Sequence, residues 1–567
     1  MEKHKFNIIY PAISFFIPFI LYIIFLCPTI AGGDSPELIT AAYVMGVPHP
    51  PGYPLYTIMG KLFTCIPFYS IAWRVNLMSA FLDSCCCLLV FLSLNKITRD
   101  PASSLCGSIS LACSRFFWHY SEVAEVFALN NFFASLLIYI LICWREKILN
   151  AQAVSGVRGA TGYLYLFSFC YGLSLTNHHT MILLFPAFLF FILYYRRNFF
   201  LNLKVLLPSF LLFLTGLLPY IYLPLAAMRE PPMNWMNPVN SKNFKAIILR
   251  ENYGSLSLIS KKIFKDFHIK PTSTVKKLSV YFTFLYHQFA ITGLLLGITG
   301  LIYGFSKDFL PFNIFLLIAF FFCGPFFIIL ANMPVEIPLL LGVLHRFYIM
   351  SAVIFAFWIG TGTYKLFKSL RYREIFSVII TSICFLILFF SNLKEADFRD
   401  NYLAFDYGKN ILSSLPEDSI LFLKGDLPSM TIDYLQMVEG YRTDVHVIDQ
   451  VKLHHKWYVH QIKKRFPHVI IPGERYDKKN LTNLILISSN IERYSIFFTD
   501  FEERTYEKKF KAIKWGLAKK IIPKDTVISQ TEIEKQNKDI ENGFIFRGLN
   551  RSYSPTSWES HIKTLYF

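Results

Sequence analysis

The chain has 567 residues, of which 54% are hydrophobic and 17% aromatic, while only 17% are charged. A soluble domain carries about 25% charged residues, so this balance excludes a disordered or ordinary soluble protein and points to a multi-span membrane protein. The net charge of +18 fits Lys and Arg collected in cytoplasmic loops; no basic stretch interleaved with aromatics suggests nucleic acid as a partner.

A span needs about 20 mostly apolar residues. In chain order that pattern is met at 7–27, 74–95, 102–119, 126–144, 161–177, 180–195, 205–226, 281–304, 309–331, 347–366 and 374–391. This is a polytopic all-α bundle of about 11 transmembrane helices; 161–195 also reads as one broken hairpin. The segment 6–27 has the look of a signal peptide. Gly32 and Gly33 make a poor cleavage site, and it is read as a retained first helix. Lys3, Lys5, Lys96, Arg99, Arg145, Lys147, Arg158, Arg196, Arg197, Lys204, Lys307, Lys365, Lys368, Arg371 and Arg373 fall in alternate connections. The short connections between them, 120–125, 178–179 and 332–338, hold no Lys or Arg. The N-terminus is therefore expected in the cytoplasm and the C-terminal region outside.

Two long connections, 28–73 and 227–280, fall outside, as does everything after 391. Residues 1–391 are expected to form the transmembrane domain and 392–567 an extracytoplasmic α/β domain. In the latter, Ser419–Leu423, Val445–Ile448 and Leu484–Ile487 read as short buried strands. Gly408–Gly425 and Met430–Tyr441 read as helix-containing links. The 11 Cys include no CxxC pair or Cys/His ligand spacing, so neither zinc nor a disulfide framework is expected.

The candidate chemistry lies on the outer side. Asp34 and Glu37 follow Gly32-Gly33, a pair that permits close approach or a φ > 0 turn. Asp34 with Glu37 three residues on suits a helix capping box; the alternative is a carboxylate base at the membrane–water boundary. Residues 48–54, with His49 and Tyr53 among prolines, form a rigid loop. Glu122 and Glu125 occupy a very short connection, where they are either solvated connectors or functional groups at the bundle edge. Thr176-Asn177-His178-His179 follows. Two adjacent His point in different directions and fall short of the three or four ligands a metal takes, so hydrogen bonding in a cavity is the better reading. Arg346 either snorkels to the interface or pairs with a lipid phosphate. Asp83, mid-span, is a candidate for a buried structural pair.

The blocks Gly32-Gly-Asp-Ser-Pro-Glu-Leu-Ile-Thr, His49-Pro-Pro-Gly-Tyr-Pro, Ala124-Glu-Val-Phe-Ala-Leu-Asn130 and Gly172-Leu-Ser-Leu-Thr-Asn-His-His-Thr resemble one family. So do Asn234-Trp235 and Tyr434-Leu-Gln-Met-Val-Glu-Gly-Tyr-Arg-Thr-Asp. It is the transmembrane protein 260 type of protein O-mannosyltransferase with its bacterial relatives, and the resemblance runs over most of residues 25–450. It implies the GT-C glycosyltransferase fold and a polyprenyl-phosphate sugar donor, with mannose the expected sugar. It also implies a hydroxyl acceptor on an extracytoplasmic protein or glycan, inversion at the anomeric carbon, and no metal or cofactor beyond the lipid-linked sugar. Asp34 is then the general base, with Glu37 or Glu125 as orienting carboxylate, and His178, His179 and Arg346 beside the departing phosphate. Ser35, His49, Tyr53, Glu122, Asn130, Asn177 and Trp235 join them as expected substrate-binding positions. Pro36 departs from the family string, where Gly is expected, so a differently shaped loop is anticipated. Nothing after 455 carries the resemblance. The membrane is either a bacterial inner membrane or the endoplasmic reticulum.

The competing readings are a transporter or lipid flippase for an isoprenoid-linked substrate, and a receptor or scaffold anchored by the bundle. A transporter should show repeats and midplane ionisable groups; no repeat is visible and the polar clusters lie at one face. An anchor does not require so many spans.

Overall fold

The computed structural model describes residues 2–151, 158–251, 258, 272–477 and 481–566. Among these, eight helices are long and apolar enough to cross a membrane: Ile8–Phe25, Ile71–Thr98, Val126–Asn150, Leu203–Met228, Thr274–Tyr303, Leu310–Ala331, Ile349–Phe367 and Arg373–Ala396. The other three expected spans are helical but shorter, interrupted or less apolar. Segment 102–119 divides into Pro101–Ala112 and Arg115–Ser121. Segment 161–177 falls on the helix Arg158–Leu175 except for its last two residues, Thr176 and Asn177, which turn away after it. Segment 180–195 starts as a tight 3₁₀ turn, His179–Leu184, before Phe185–Tyr195.

The basic connections meet one another. Lys96 Nζ donates to Glu146 at 2.6 Å, Arg145 Nε to the Tyr195 hydroxyl at 2.8 Å, and Lys368 Nζ to the Tyr303 hydroxyl at 2.9 Å. Glu125 and Arg145 bracket the helix that begins at Val126, so the acidic and histidine motifs gather at the opposite end of the bundle from these lysines and arginines. Asp83 sits between spans, accepting from Ser121 Oγ at 2.9 Å and Asn131 Nδ2 at 3.0 Å. Its carboxylate is thus satisfied by a polar knot inside the bundle.

The first outer connection contains two short helices, Ser35–Val44 and Pro54–Thr64. Pro36 lies in the opening turn of the first, where its missing N–H leaves no helical bond unmade. Pro36 is thus accommodated in the first turn of a helix that begins at Ser35. Of the second connection, 252–257 and 259–271 lie outside the described residues.

Beyond Ala396 the chain builds a five-stranded sheet of order β2-β1-β3-β5-β4, with β1 Ile420–Leu423, β2 His446–Asp449, β3 Ile496–Phe498, β4 Phe510–Trp515 and β5 Ala518–Pro523. β1 runs parallel to β2 and β3, and β5 antiparallel to β3 and β4. Strand β1 is buried on both faces, and its side chains alternate as a pleated strand must. Leu421 and Leu423 join the core that continues into the bundle, while Ile420 and Phe422 join a second core on the far face. Leu484–Ile487 corrects the expected third strand. It lies in the helix Asn483–Asn490, capped by the Thr482 side chain accepting from the Ile485 N–H; the third strand is Ile496–Phe498.

Candidate active site

The sequence at Gly32–Glu37 predicts either a capping box or a base, and the structure shows that the box does not form. Asp34 is the N-cap of Ser35–Val44 but makes no side-chain capping bond. Its Oδ2 instead lies 2.9 Å from Arg346 Nη1. Glu37 does not reach back either. Its Oε1 accepts the His49 backbone N–H at 3.0 Å, and its Oε2 pairs with His49 Nδ1. His49 Nε2 meets the Tyr53 hydroxyl at 3.0 Å. Burial works against charge on His49, but the Glu37 carboxylate, with Asp34 behind it, outweighs burial and holds the ring protonated up to about 9.

Arg346, in the last turn of Pro338–Phe347, neither snorkels outward nor stands open for a lipid phosphate. It is buried, and the same Nη1 that meets Asp34 donates to Glu125 Oε1 at 2.8 Å. Phe127 and Phe347 flank the guanidinium. One cation is thus shared by two carboxylates that meet the same guanidinium nitrogen. The two differ in exposure: the Asp34 side chain is 21% exposed and that of Glu125 is 4%. Burial opposes ionisation of Asp34, but Arg346 and His49 hold it below the usual carboxylate range. Burial wins at Glu125 despite Arg346, with the Asp34 charge adding to it, and pushes the carboxyl up to about 7. Glu125 Oε2 and Arg346 Nε are buried with no hydrogen-bond partner among the described residues.

Buried Asn76 draws these segments together. Its Nδ2 donates to the carbonyls of Cys27 and Thr29 at 2.8 and 2.9 Å, and its Oδ1 accepts from Ala124 N at 2.8 Å. The loops before Asp34 and Glu125 are therefore fixed by one side chain from the Ile71–Thr98 span.

The second group extends from Tyr53. The His178 ring stacks on Tyr53 with centroids 5.8 Å apart. His178 Nδ1 accepts the Thr180 N–H at 3.2 Å, so its proton sits on Nε2. Burial, helped by nearby cations, keeps His178 neutral, well below the usual range. Thr180 Oγ1 accepts from Asn130 Nδ2 at 3.0 Å, and Asn177 Nδ2 donates to Asn130 Oδ1 at 2.8 Å. His179 points elsewhere, to the Tyr220 hydroxyl at 2.8 Å. Ser35 Oγ accepts from the Ala31 N–H at 3.5 Å, within the glycine turn.

Two residues stand apart from the Arg346 cluster. Glu122 accepts from Trp118 Nε1, and burial pushes it well above the usual carboxylate range. Trp235 packs on Trp457, with Lys452 over its ring, where the second outer connection meets the sheet domain. Two residues were missed by sequence reasoning. Arg250, in the second outer connection, lies close enough for its charge to act on His49, Tyr53 and His178. Trp558, near the chain end, packs on Gly32 and Gly33. Neither carries a local signal. A cavity of about 200 Å³ opens beside Glu125, lined by Arg115, His119 and Tyr120 of the bundle and by residues 551–559 of the tail.

Residues 34–200 match the protein O-mannosyl-transferase TMEM260 N-terminal domain, and 404–472 match TMEM260-associated domain 2. The mouse protein O-mannosyl-transferase TMEM260 is 29% identical over 558 residues, covering 94% of this chain and 76% of its own length. The Dictyostelium discoideum relative of the same name is 28% identical over 546 residues, covering 89% of this chain and 65% of its own length. ArnT from Cupriavidus metallidurans, solved with undecaprenyl phosphate bound, superposes with a TM-score of 0.56 at 9% identity, over 91% of this chain and 97% of its own. Its apo form superposes at 0.58. The chain is a GT-C-fold relative of the TMEM260 proteins. It is, in class, a multi-pass membrane glycosyltransferase. The two matched segments carry Asp34, Glu37, His49, Glu125 and His178 in the first and β1 with β2 in the second. Arg346, Arg250 and Trp558 lie outside both.

Proposed function

We propose that this glycosyltransferase moves mannose from a polyprenyl-phosphate donor to a Ser or Thr hydroxyl of an extracytoplasmic protein, with inversion and with Asp34 as general base. The observation that carries the reading is the Asp34–Arg346–Glu125 arrangement. Asp34 is the more open carboxylate and is held ionised, while Glu125 lies buried behind the same cation. An acceptor hydroxyl needs an ionised base within hydrogen-bond reach, and Asp34 supplies it at the end of the bundle away from the basic connections. The names of the relatives support the sugar and acceptor class, and the undecaprenyl phosphate bound to the ArnT fold supports the donor class.

The hydroxyl oxygen attacks the anomeric carbon from the face opposite the phosphate. The C–O bond to phosphate breaks, its electron pair leaves with the lipid phosphate, and the hydroxyl proton passes to Asp34. Arg346 is engaged by two carboxylates, so it keeps Asp34 placed and charged. The departing phosphate falls to Arg250 and to the Nε2–H of neutral His178, a cation and a donor on the Tyr53 side of the site. Tyr53, stacked on His178 and bonded to His49, holds that side rigid.

The test uses purified protein in lipid nanodiscs with radiolabelled mannosyl-phospho-polyprenol and a pool of candidate extracytoplasmic proteins. Wild type should label a protein band, and Asp34→Asn should lose transfer by about 10²–10⁴-fold while keeping its melting temperature. Transfer by Asp34→Asn at the wild-type rate would remove Asp34 as the base. Label appearing only on glycans would correct the acceptor class.

A further inference from the structure

The expectation that resemblance stops at 455 is corrected by the match at 404–472 and by a mouse relative aligned over 94% of the chain. The chain's end, outside both matched segments, reaches the catalytic loop. Trp558 opens the final helix, Trp558–Tyr566. A Cβ on Gly32 would stand 2.3 Å from Trp558 Cβ, and one on Gly33 2.7 Å from Trp558 Nε1. Gly33 has φ +85°, a conformation that favours glycine. The indole thus lies directly on the turn that delivers Asp34. Two residues earlier, Thr556 touches the helix that carries Arg346. A Cβ on Gly342 would stand 1.9 Å from the Thr556 carbonyl oxygen, and Gly342 lies one helical turn before Arg346.

The segment is itself anchored. Glu559 Oε1 accepts from buried Asn401 Nδ2 at 3.0 Å, Ile562 is fully buried in the bundle core, and the Tyr566 hydroxyl meets Asn410 Nδ2 at 3.1 Å. Residues 551–559 also form one wall of the cavity beside Glu125. One short stretch therefore touches the segment of Asp34, the helix of Arg346 and the space next to both.

We propose that residues 554–559 are a positioning element of the transfer site: Trp558 sets the Gly32–Gly33 turn and Thr556 sets the Arg346 helix, so that one segment fixes both halves of the Asp34–Arg346 pair. Trp558 acts through Asp34 and is a positioning residue. The proposal rests on the reading of Asp34 as the base. Close packing makes it physical. Removing the indole leaves the glycine turn without the partner that restricts it, and a misplacement of about 1 Å in a reacting group can cost about 10²-fold in rate.

The test uses the full chain in nanodiscs with Trp558→Ala, Trp558→Phe, Gly32→Ala and the Gly32→Ala/Trp558→Ala double variant. Two readouts are taken beside the melting temperature. One is kcat and KM for mannosyl-phospho-polyprenol. The other, independent of turnover, is the pH dependence of carbodiimide labelling at Asp34, read by mass spectrometry. Asp34 is faced by Arg346, His49, Glu125 and Tyr53, so its labelling midpoint reports how well Arg346 is placed. Trp558→Ala should lower kcat at least 10-fold with KM within about 2-fold, and should move the Asp34 midpoint upward. Trp558→Phe should restore most of both. Gly32→Ala should reproduce the defect from the other side of the contact, and the double variant should be no worse than either single one, as for residues in direct contact. If Trp558→Ala does not fold, Gly32→Ala and Trp558→Phe carry the same readouts. An unchanged midpoint together with unchanged kcat in folded variants would overturn the proposal. A shifted midpoint in a chain whose wild type transfers no sugar would uphold the positioning role and sink the assigned reaction instead.

Discussion

Replacing Arg346 by Met is the sharpest perturbation of the site, because one nitrogen holds two carboxylates at 2.9 and 2.8 Å. At an effective dielectric constant of about 20, unit charges about 4 Å apart interact by about 4 kcal/mol. Removing one partner of a buried pair costs about 3–5 kcal/mol if the other stays charged. The carboxylates need not stay charged. Glu125 already titrates at about 7 with Arg346 in place, and without it both groups lose their main stabilising charge. Burial then acts on Asp34 unopposed by Arg346 and raises it. The two acids share a proton near neutral pH, and the base is lost for much of the time. Transfer by Arg346→Met should fall about 10²–10³-fold at pH 7, within the range a general base supplies. The loss should be partly recovered as pH is raised and Asp34 ionises again. Arg346→Lys keeps the charge but not the fork and should fall about 10-fold. The assay is initial rate against pH in nanodiscs at saturating donor. A Met variant with the wild-type rate and the wild-type pH profile would refute the role given to the pair.

Glu37→Gln removes the carboxylate that holds His49 protonated. The His49 value is raised from 6.5 to about 9, a coupling on the order of 3 kcal/mol. A raised histidine contributes stability that is fully present below pH 6.5 and is lost as pH rises through about 9. The melting temperature of the Gln variant should lie below wild type at pH 6.5 and converge with it above pH 9; a gap constant across that window would contradict the ion pair. Glu125→Gln addresses the shared cation. In wild type, Glu125 ionises through about 7, draws on Arg346 and makes Asp34 more basic, so the rate should rise through that window. In the Gln variant the rise should be missing, and a preserved limb near pH 7 would assign it to another group.

Much of this site was legible because its residues are local in sequence. The Gly32-Gly33-Asp34 turn, the 49–54 loop and the 177–180 stretch each announce themselves by composition, and the alternation of Lys and Arg separates the two ends of the bundle. What sequence could not decide was what each polar group touches. Asp34 with Glu37 satisfied a capping pattern, but a buried arginine outcompetes a backbone N–H for a carboxylate, and Arg346 lies 312 positions further on by residue number. The run Leu484–Ile487 reads as a strand because four apolar residues carry no period; the Thr482 cap is the signal that points to a helix. Trp558 gave no signal at all, since its meaning comes only from Gly32 and Gly33.

The odd stoichiometry of two carboxylates on one arginine follows from what the proposed reaction asks of a buried site. Before transfer, Asp34 is ionised against Arg346, Glu37 against His49, and Glu125 is held near its midpoint by burial. When Asp34 takes the hydroxyl proton, Arg346 would be left as an uncompensated buried cation, which costs several kcal/mol. Glu125, 2.8 Å from the same Nη1, removes that penalty when it is already ionised, which it becomes as pH rises through about 7. The cation is balanced in both states without any side chain moving. A lone Asp–Arg pair would have to break for the base to act, and a lone Asp without the arginine would sit protonated in this environment. A second carboxylate on the same cation, raised by burial yet ionised as pH passes about 7, resolves both problems at once.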